Sequence, residues 1–331
     1  NNKNSYKKIK NNKISNKIKI FNNFECYKEI FKKKIDYTMC SISGIEGLKP
    51  TIEIIKYTKN VAIANKEAII CGWNLINKEL KKNKTNFIPV DSEHFSIWYA
   101  LKGIDKKIID KIYLTASGGP FLNYPQKKFD RIKMRQAVKH PNWKMGKKIS
   151  IDSATMMNKV FEIIEAKKIF DLDYKQLSIL THPDSYVHAL INFDNGLIKI
   201  IAHKTDMKIP IANSLLFSDQ IKHNSSLEQN IYKLNNLNFK KINLTKFPSV
   251  KLIKLLPNKS SLFETILVSA NDELVRQFLN KKIQFNKIYK NLIKILKKQE
   301  FYKYKKKIPS KIDDILKLSD YVRFKIISKR I

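Results

Sequence analysis

The chain has 331 residues, 43% of them hydrophobic, and a net charge of +36. That apolar share excludes wholesale disorder, no apolar run approaches the ~20 residues of a membrane-spanning helix, and "NNKNSYKKIKNNKISNKIKIF" lacks the continuous apolar core of a secretory signal. Only five of the 65 basic residues are Arg (Arg131, Arg135, Arg276, Arg323, Arg330), so the charge is poor in the forked donors that read bases, and a specific nucleic-acid or membrane partner is not expected.

Residues 1 to about 35 are Lys/Asn-rich and weakly patterned, and the first residue is Asn, as expected of a piece of a longer chain. From Asp36 to Val90 the units alternate: a strand near "YTMCSIS", a helix over "LKPTIEIIKYT", a strand "NVAIA", a helix through "KEAIICGWNLINKELKK" and a strand "NFIPVD". This is an α/β layout with parallel strands. Further strands are predicted at "IYLTAS" and "HALINF…LIKIIAH". "SLFETILVSANDELVRQFLNKK" and "FNKIYKNLIKILKKQ" carry apolar residues at helical spacing. The expected units are 1–90, 91–220, a linker over 221–245, and a helical unit over 246–331. Cys26, Cys40 and Cys71 lack metal-ligand spacing, so they read as reduced thiols, and the expected location is the cytoplasm.

The polar residues concentrate in the middle. In "IDSATMMNKVFEIIEA" Ser153 is positioned to cap a helix whose early turns hold Asn158, Lys159 and Glu162, a start that suits a phosphate; an ordinary capped surface helix is the plain alternative. In "IPVDSEHF" Asp91 and Glu93 follow a strand, two apart, so extended geometry would aim both carboxylates one way. With Glu162 they would make an all-oxygen site for Mg²⁺ or Mn²⁺, while a solvated loop is the competing reading. "TASGGPF" supplies Ser117 with Gly118 and Gly119, a plain turn or a close backbone approach to a ligand. His140, Trp143, Met145 and Gly146 lie together on a loop. His182, His188, His203 and His223 read as structural or exposed, and His94 as orienting the Asp91 loop.

In order along the chain, "ANKEAI", "PVDSEH", "SGGPF", "HPNWKMGKKISIDSATMMNK" and "DMKIPIA" resemble the 1-deoxy-D-xylulose 5-phosphate reductoisomerase family from about Asp36 onward. The resemblance implies a partial Rossmann-like N-terminal domain, an α+β catalytic domain and a C-terminal helical bundle. It also implies skeletal rearrangement by retro-aldol cleavage and re-aldolisation, then reduction by NADPH, with Mg²⁺, Mn²⁺ or Co²⁺ as the metal and a homodimer as the assembly. By position it assigns Asp91, Glu93 and Glu162 to the metal. Lys66, Ser92, Glu93, Ser117, His140, Ser153, Asn158, Lys159 and Glu162 fall to the sugar phosphate, with Lys66, Glu93 and His140 catalytic. Asn65, Glu67 and Gly146 fall to the cofactor, and Trp143 with Met145 to a flap.

Three departures stand out. The family's glycine-rich dinucleotide loop is absent, since the eight glycines (44, 47, 72, 103, 118, 119, 146, 196) form no such run. Val160 replaces a usual Gly, adding bulk on a helix beside the phosphate site, and "HKTDM" alters the loop at Met207, though neither position is expected to touch a ligand. The alternative function is therefore a decayed or fragmentary homologue that binds metal and sugar phosphate without reducing anything.

Overall fold

The computed structural model describes residues 3–11, 20–21, 27–216 and 227–328. Cys26, His223 and part of the expected linker lie outside them. The predicted alternation forms a parallel sheet in the order β1 (Ile35–Cys40), β2 (Thr58–Ile63), β3 (Asn86–Pro89). Helices α1 (Leu48–Ile54) and α2 (Lys66–Asn83) provide the crossovers, as parallel pairing requires. Side chains alternate along β2: Val61 and Ile63 join the large core under α2, while Ala62 meets Ile88, Val90 and Met207 on the other face.

A second sheet has the order β7 (Ile198–Ala202), β6 (Val187–Phe193), β4 (Ile109–Ala116), β5 (Leu177–Thr181), β8 (Lys240–Lys241). Only β4 and β5 run parallel. β5 and β8 were not predicted, and β8 lies inside the stretch expected to be a linker. β5 spans only five residues and β8 is two lysines, too little pattern to announce either as a strand.

Helix α3 (Ser92–Ala100) and helix α5 (Met157–Phe170) cover this sheet through Ile97, Ile163, Ala166 and Phe170. On its other side α5 gives Val160, Phe161 and Ile164 to the core that it shares with α2. A helix buried all round has no solvated face, so its polar residues must find partners inside. Val160 is fully buried in that core and is absent from the pocket lining, so its bulk sits on the helix beside the site without entering the cavity.

Helix α6 (Lys208–Leu216) docks on β1, where Tyr37 and Ser214 hydroxyls meet at 2.9 Å. The C-terminal helices α7 (Phe263–Leu279), α8 (Phe285–Lys297) and α9 (Ile312–Ile327) pack into the same large core as α2 and α5. Ile288, Leu292, Ile295 and Leu296 form the buried stripe of α8, each contributing about 1.5–3 kcal/mol of burial.

Candidate active site

The expected helix from Ser153 through Glu162 is two helices. Ser153 lies in the last turn of α4 (Lys147–Ala154), and Met156, with φ of 62°, turns the chain into α5. A left-handed non-glycine residue is costly, and here it lets Ser153 and the first turn of α5 line one cavity. Ser153 caps nothing. Where the chain reverses, Gly119 comes so close that a Cβ would stand 3.1 Å from the Ser153 carbonyl oxygen. Gly119 thus serves contact with α4, while Gly118 lines the cavity.

The carboxylate pair also converges by a different route. Asp91 is the N-cap of α3, accepting from the Glu93 amide at 3.2 Å, so helical and not extended geometry brings the two together. Asp91, Glu93 and Glu162 each place one carboxylate oxygen so that all three lie within 4.8 Å of one another. Lys66, the first residue of α2, pairs with Asp91 and lies 3.6 Å from Glu162 and 3.5 Å from Glu165. Lys159 sits 2.6 Å from Glu93 and 2.5 Å from Glu162, while Asn158 donates to the other Glu162 oxygen. Ser92 donates to Glu93 at 2.6 Å.

Charge follows from this crowding. Burial works to discharge Lys66, but Asp91, Glu165 and Glu162 outweigh it and hold its pKa well above the ordinary value. Burial likewise opposes ionisation of Asp91 and is overcome by Lys66, which holds that carboxyl well below its usual range. Glu162 fares the other way: burial, reinforced by Glu93, raises it to about 7. His94 is buried, yet Glu165 and Asp91 lift it to about 9, and its ring meets Asp91 at 3.1 Å and the Glu162 carbonyl at 2.9 Å. The expected orienting contact with Asp91 is present.

The other end of the cavity lacks carboxylates. His140 Nδ1 accepts from the Asn142 and Trp143 amides at 3.1 and 3.0 Å, so its proton resides on Nε2 and is donated to Ser117 Oγ at 3.0 Å. Burial, then Lys159, lowers His140 to about 4, which fixes the neutral ring. Ser117 Oγ also accepts from the Gly119 amide, leaving its own hydroxyl hydrogen to donate elsewhere. Ser117, Ser153, Asn158, Lys159, His140, Trp143, Met145 and Met207 all line the same cavity of about 260 Å³ with the carboxylates.

Next to it lies a second cavity of about 380 Å³, bounded by Ser41, Asn65, Glu67 and Gly146 at the C-terminal edge of β1 and β2. That edge is where open parallel sheets bind nucleotides. Asn65 is spent on the fold: its carbonyl caps α2 through the Ala68 amide, and its amide donates to the Gly44 carbonyl at 2.7 Å. Glu67 pairs with Lys148 at 2.9 Å.

Sequence reasoning overlooked Glu165 and His188. Glu165 continues the face of Asn158 and Glu162 at a three-residue step, a signal that was available. His188 lines the cavity and stacks on His203 at 3.7 Å, a pairing across strands that no local pattern encodes. His182, His188 and His203 each meet a backbone carbonyl.

Residues 1–72 match the family model described as 1-deoxy-D-xylulose 5-phosphate reductoisomerase, and residues 87–170 and 203–325 match models of that enzyme's C-terminal domains. The match thus reaches further toward the start than the resemblance from Asp36. A reductoisomerase of that name from Pelagibacter ubique is 60% identical over 94% of this chain and 81% of its own length. One from Clostridium tetani is 40% identical over 88% and 76%. Among solved structures, a DOX-P reductoisomerase complex with NADPH, fosmidomycin and magnesium superposes with a TM-score of 0.81 at 33% identity, covering 90% of this chain and 76% of that one. With family models matching residues 1–72, 87–170 and 203–325 and a relative 60% identical over 81% of its own length, the chain belongs to the 1-deoxy-D-xylulose 5-phosphate reductoisomerase family.

Proposed function

We propose that this protein converts 1-deoxy-D-xylulose 5-phosphate to 2-C-methyl-D-erythritol 4-phosphate with consumption of NADPH. The observation that carries this reading is the convergence of Asp91, Glu93 and Glu162 within 4.8 Å, beside a pocket end built from Ser117, Ser153 and His140. An all-carboxylate donor set fits Mg²⁺ or Mn²⁺. Bound there, such a cation polarises the substrate's carbonyl and hydroxyl oxygens as a Lewis acid. NADPH supplies the hydride, and the cavity at the edge of β1 and β2, between Asn65, Glu67 and Gly146, is where this chain would hold its share of the cofactor.

The protein's own groups do the remaining work. Ser117 and Ser153, with Asn158 and Lys159, grip the phosphate and fix the sugar's orientation. Lys66, kept cationic by its carboxylates, faces the charge that develops on the substrate oxygens. His140 stays neutral and holds Ser117 in the donor orientation. Trp143 and Met145 close over the substrate and exclude water. Edge strand β7 exposes Ile198 and Ile200, next to exposed Leu197, which supports a homodimer formed through this edge.

The test is a coupled pair of measurements: NADPH oxidation with 1-deoxy-D-xylulose 5-phosphate and Mn²⁺, and calorimetric binding of fosmidomycin with and without Mn²⁺. Oxidation and fosmidomycin binding that both require Mn²⁺ are expected. Metal-independent or absent fosmidomycin binding rejects the site assignment, and absent oxidation with binding intact favours the non-reducing alternative.

A further inference from the structure

Lys148 takes no part in the proposed chemical steps; it borders the second cavity, where α2, α4 and α7 meet. Its Nζ lies 2.9 Å from Glu67 on α2, 2.9 Å from Asp152 on α4 and 2.9 Å from Asp272 on α7. The ammonium thus forms ion pairs with three different helices at once, and the contact to Glu67 is a hydrogen bond. The Phe161 ring covers Nζ at 5.2 Å. A second ring braces the first: Asn271 donates to Asp152 at 2.8 Å, and Arg323 of α9 lies 3.9 Å from Asp272 and 3.6 Å from Glu46.

Two of the three carboxylates adjoin something the site needs. Glu67 follows Lys66, Asp152 precedes Ser153, and Lys148 itself follows the segment carrying Trp143 and Met145. Removing the cation leaves the three carboxylates without their shared partner, with Arg323 near Asp272 and Lys66 near Glu67, and like charges so placed push α2, α4 and α7 apart. We infer that Lys148 is a positioning residue that locks the Lys66 helix, the Ser153 helix and the C-terminal helices into one frame, setting the distance between the metal end and the phosphate end of the pocket. This rests on the proposed reductoisomerase activity for its kinetic arm alone.

The experiment compares wild type, Lys148→Met, Asp272→Asn and the double variant by steady-state kinetics and by amide hydrogen exchange. For Lys148→Met, kcat/KM falls about 10- to 100-fold with a raised KM, the scale of an ångström of misplacement, and exchange quickens in both segments 64–70 and 140–154. Adding Asp272→Asn recovers roughly threefold or more, since one repelling carboxylate is gone. Unchanged exchange in both segments together with unchanged KM and kcat in Lys148→Met overturns the inference, whatever happens to its melting temperature. Should Lys148→Met fail to fold, Asp272→Asn decides: faster exchange in 140–154 supports the frame and unchanged exchange rejects it. A wild-type protein without turnover would sink the functional reading, and the exchange arm would still decide this one.

Discussion

At one end of the cavity Asp91, Glu93, Glu162 and Glu165 share Lys66, Lys159 and a cationic His94; at the other, Ser117, Ser153 and a neutral His140 face the same space with no carboxylate among them. The charged end is the more deeply buried, with Glu162, Glu165 and His94 in the interior and Ser117, Ser153 and His140 half-buried, so burial, which disfavours charge, does not explain why charge collects there. The separation assigns opposite preferences: the first end holds a surplus of anionic oxygen suited to a cation, and the second offers donors suited to an anion. Lys159 and Asn158 touch both ends, since each contacts Glu162 while lining the cavity beside Ser153. A divalent cation competes with the Lys159 ammonium for Glu93 and Glu162, so metal binding and anion binding should favour one another.

The strongest way to break this comparison is Glu162→Gln. It should abolish Mn²⁺ binding at accessible concentrations and lower kcat/KM on the order of a thousandfold, the several kcal/mol that a Lewis acid supplies. Isothermal titration with Mn²⁺ alone reads the first effect, and retained Mn²⁺ affinity would show that the carboxylates do not form a cation site. Next in size is Lys159→Met, whose two effects should have opposite signs. Substrate KM rises roughly 10- to 100-fold through the lost charge-assisted bond, while Mn²⁺ binds at least as tightly because a competing cation is gone. Weakening of both together would mean that Lys159 belongs to one end only. Ser117→Ala is milder: KM rises about 5- to 10-fold, a single hydrogen bond's worth, with Mn²⁺ affinity unchanged.

The smallest effect is on stability and is sharpened by acid. His140 and His188 are each lowered from 6.5 to about 4, His140 by burial and then Lys159, His188 by burial and then His203. Below pH 6.5 the unfolded chain takes up protons that the folded rings refuse, so stability falls between pH 6.5 and pH 4 and the loss levels off below that range. His140→Gln should reduce the drop in urea-unfolding free energy between pH 7 and pH 5 by about 1 kcal/mol, discounted for partial exposure. An identical drop in that variant would show that His140 titrates normally.

Much of this arrangement could be read from residue order. The parallel alternation through Val90 and the C-terminal helices emerge from periodicity, because local propensity and the folded surroundings agree there, and motif supplied the carboxylate trio but not the helical geometry that gathers it. Glu165 was legible too, three residues beyond Glu162. The break at Met156 was not, for a left-handed methionine carries no turn signal and is sustained by the packing around it. β8 likewise exists only because β5 offers it an edge.

By itself the sequence determined which chemical groups are present, their order, and the helical faces on which Asn158, Glu162 and Glu165 fall together, since those follow from bond geometry along one chain. Tertiary structure alone decided that Lys159 and Lys66 answer the buried carboxylates, that His140 is neutral with its proton aimed at Ser117, and that Val160 turns into the core. Protonation, pairing and facing depend on what comes within a few ångströms through space, and segments distant along the chain supply it.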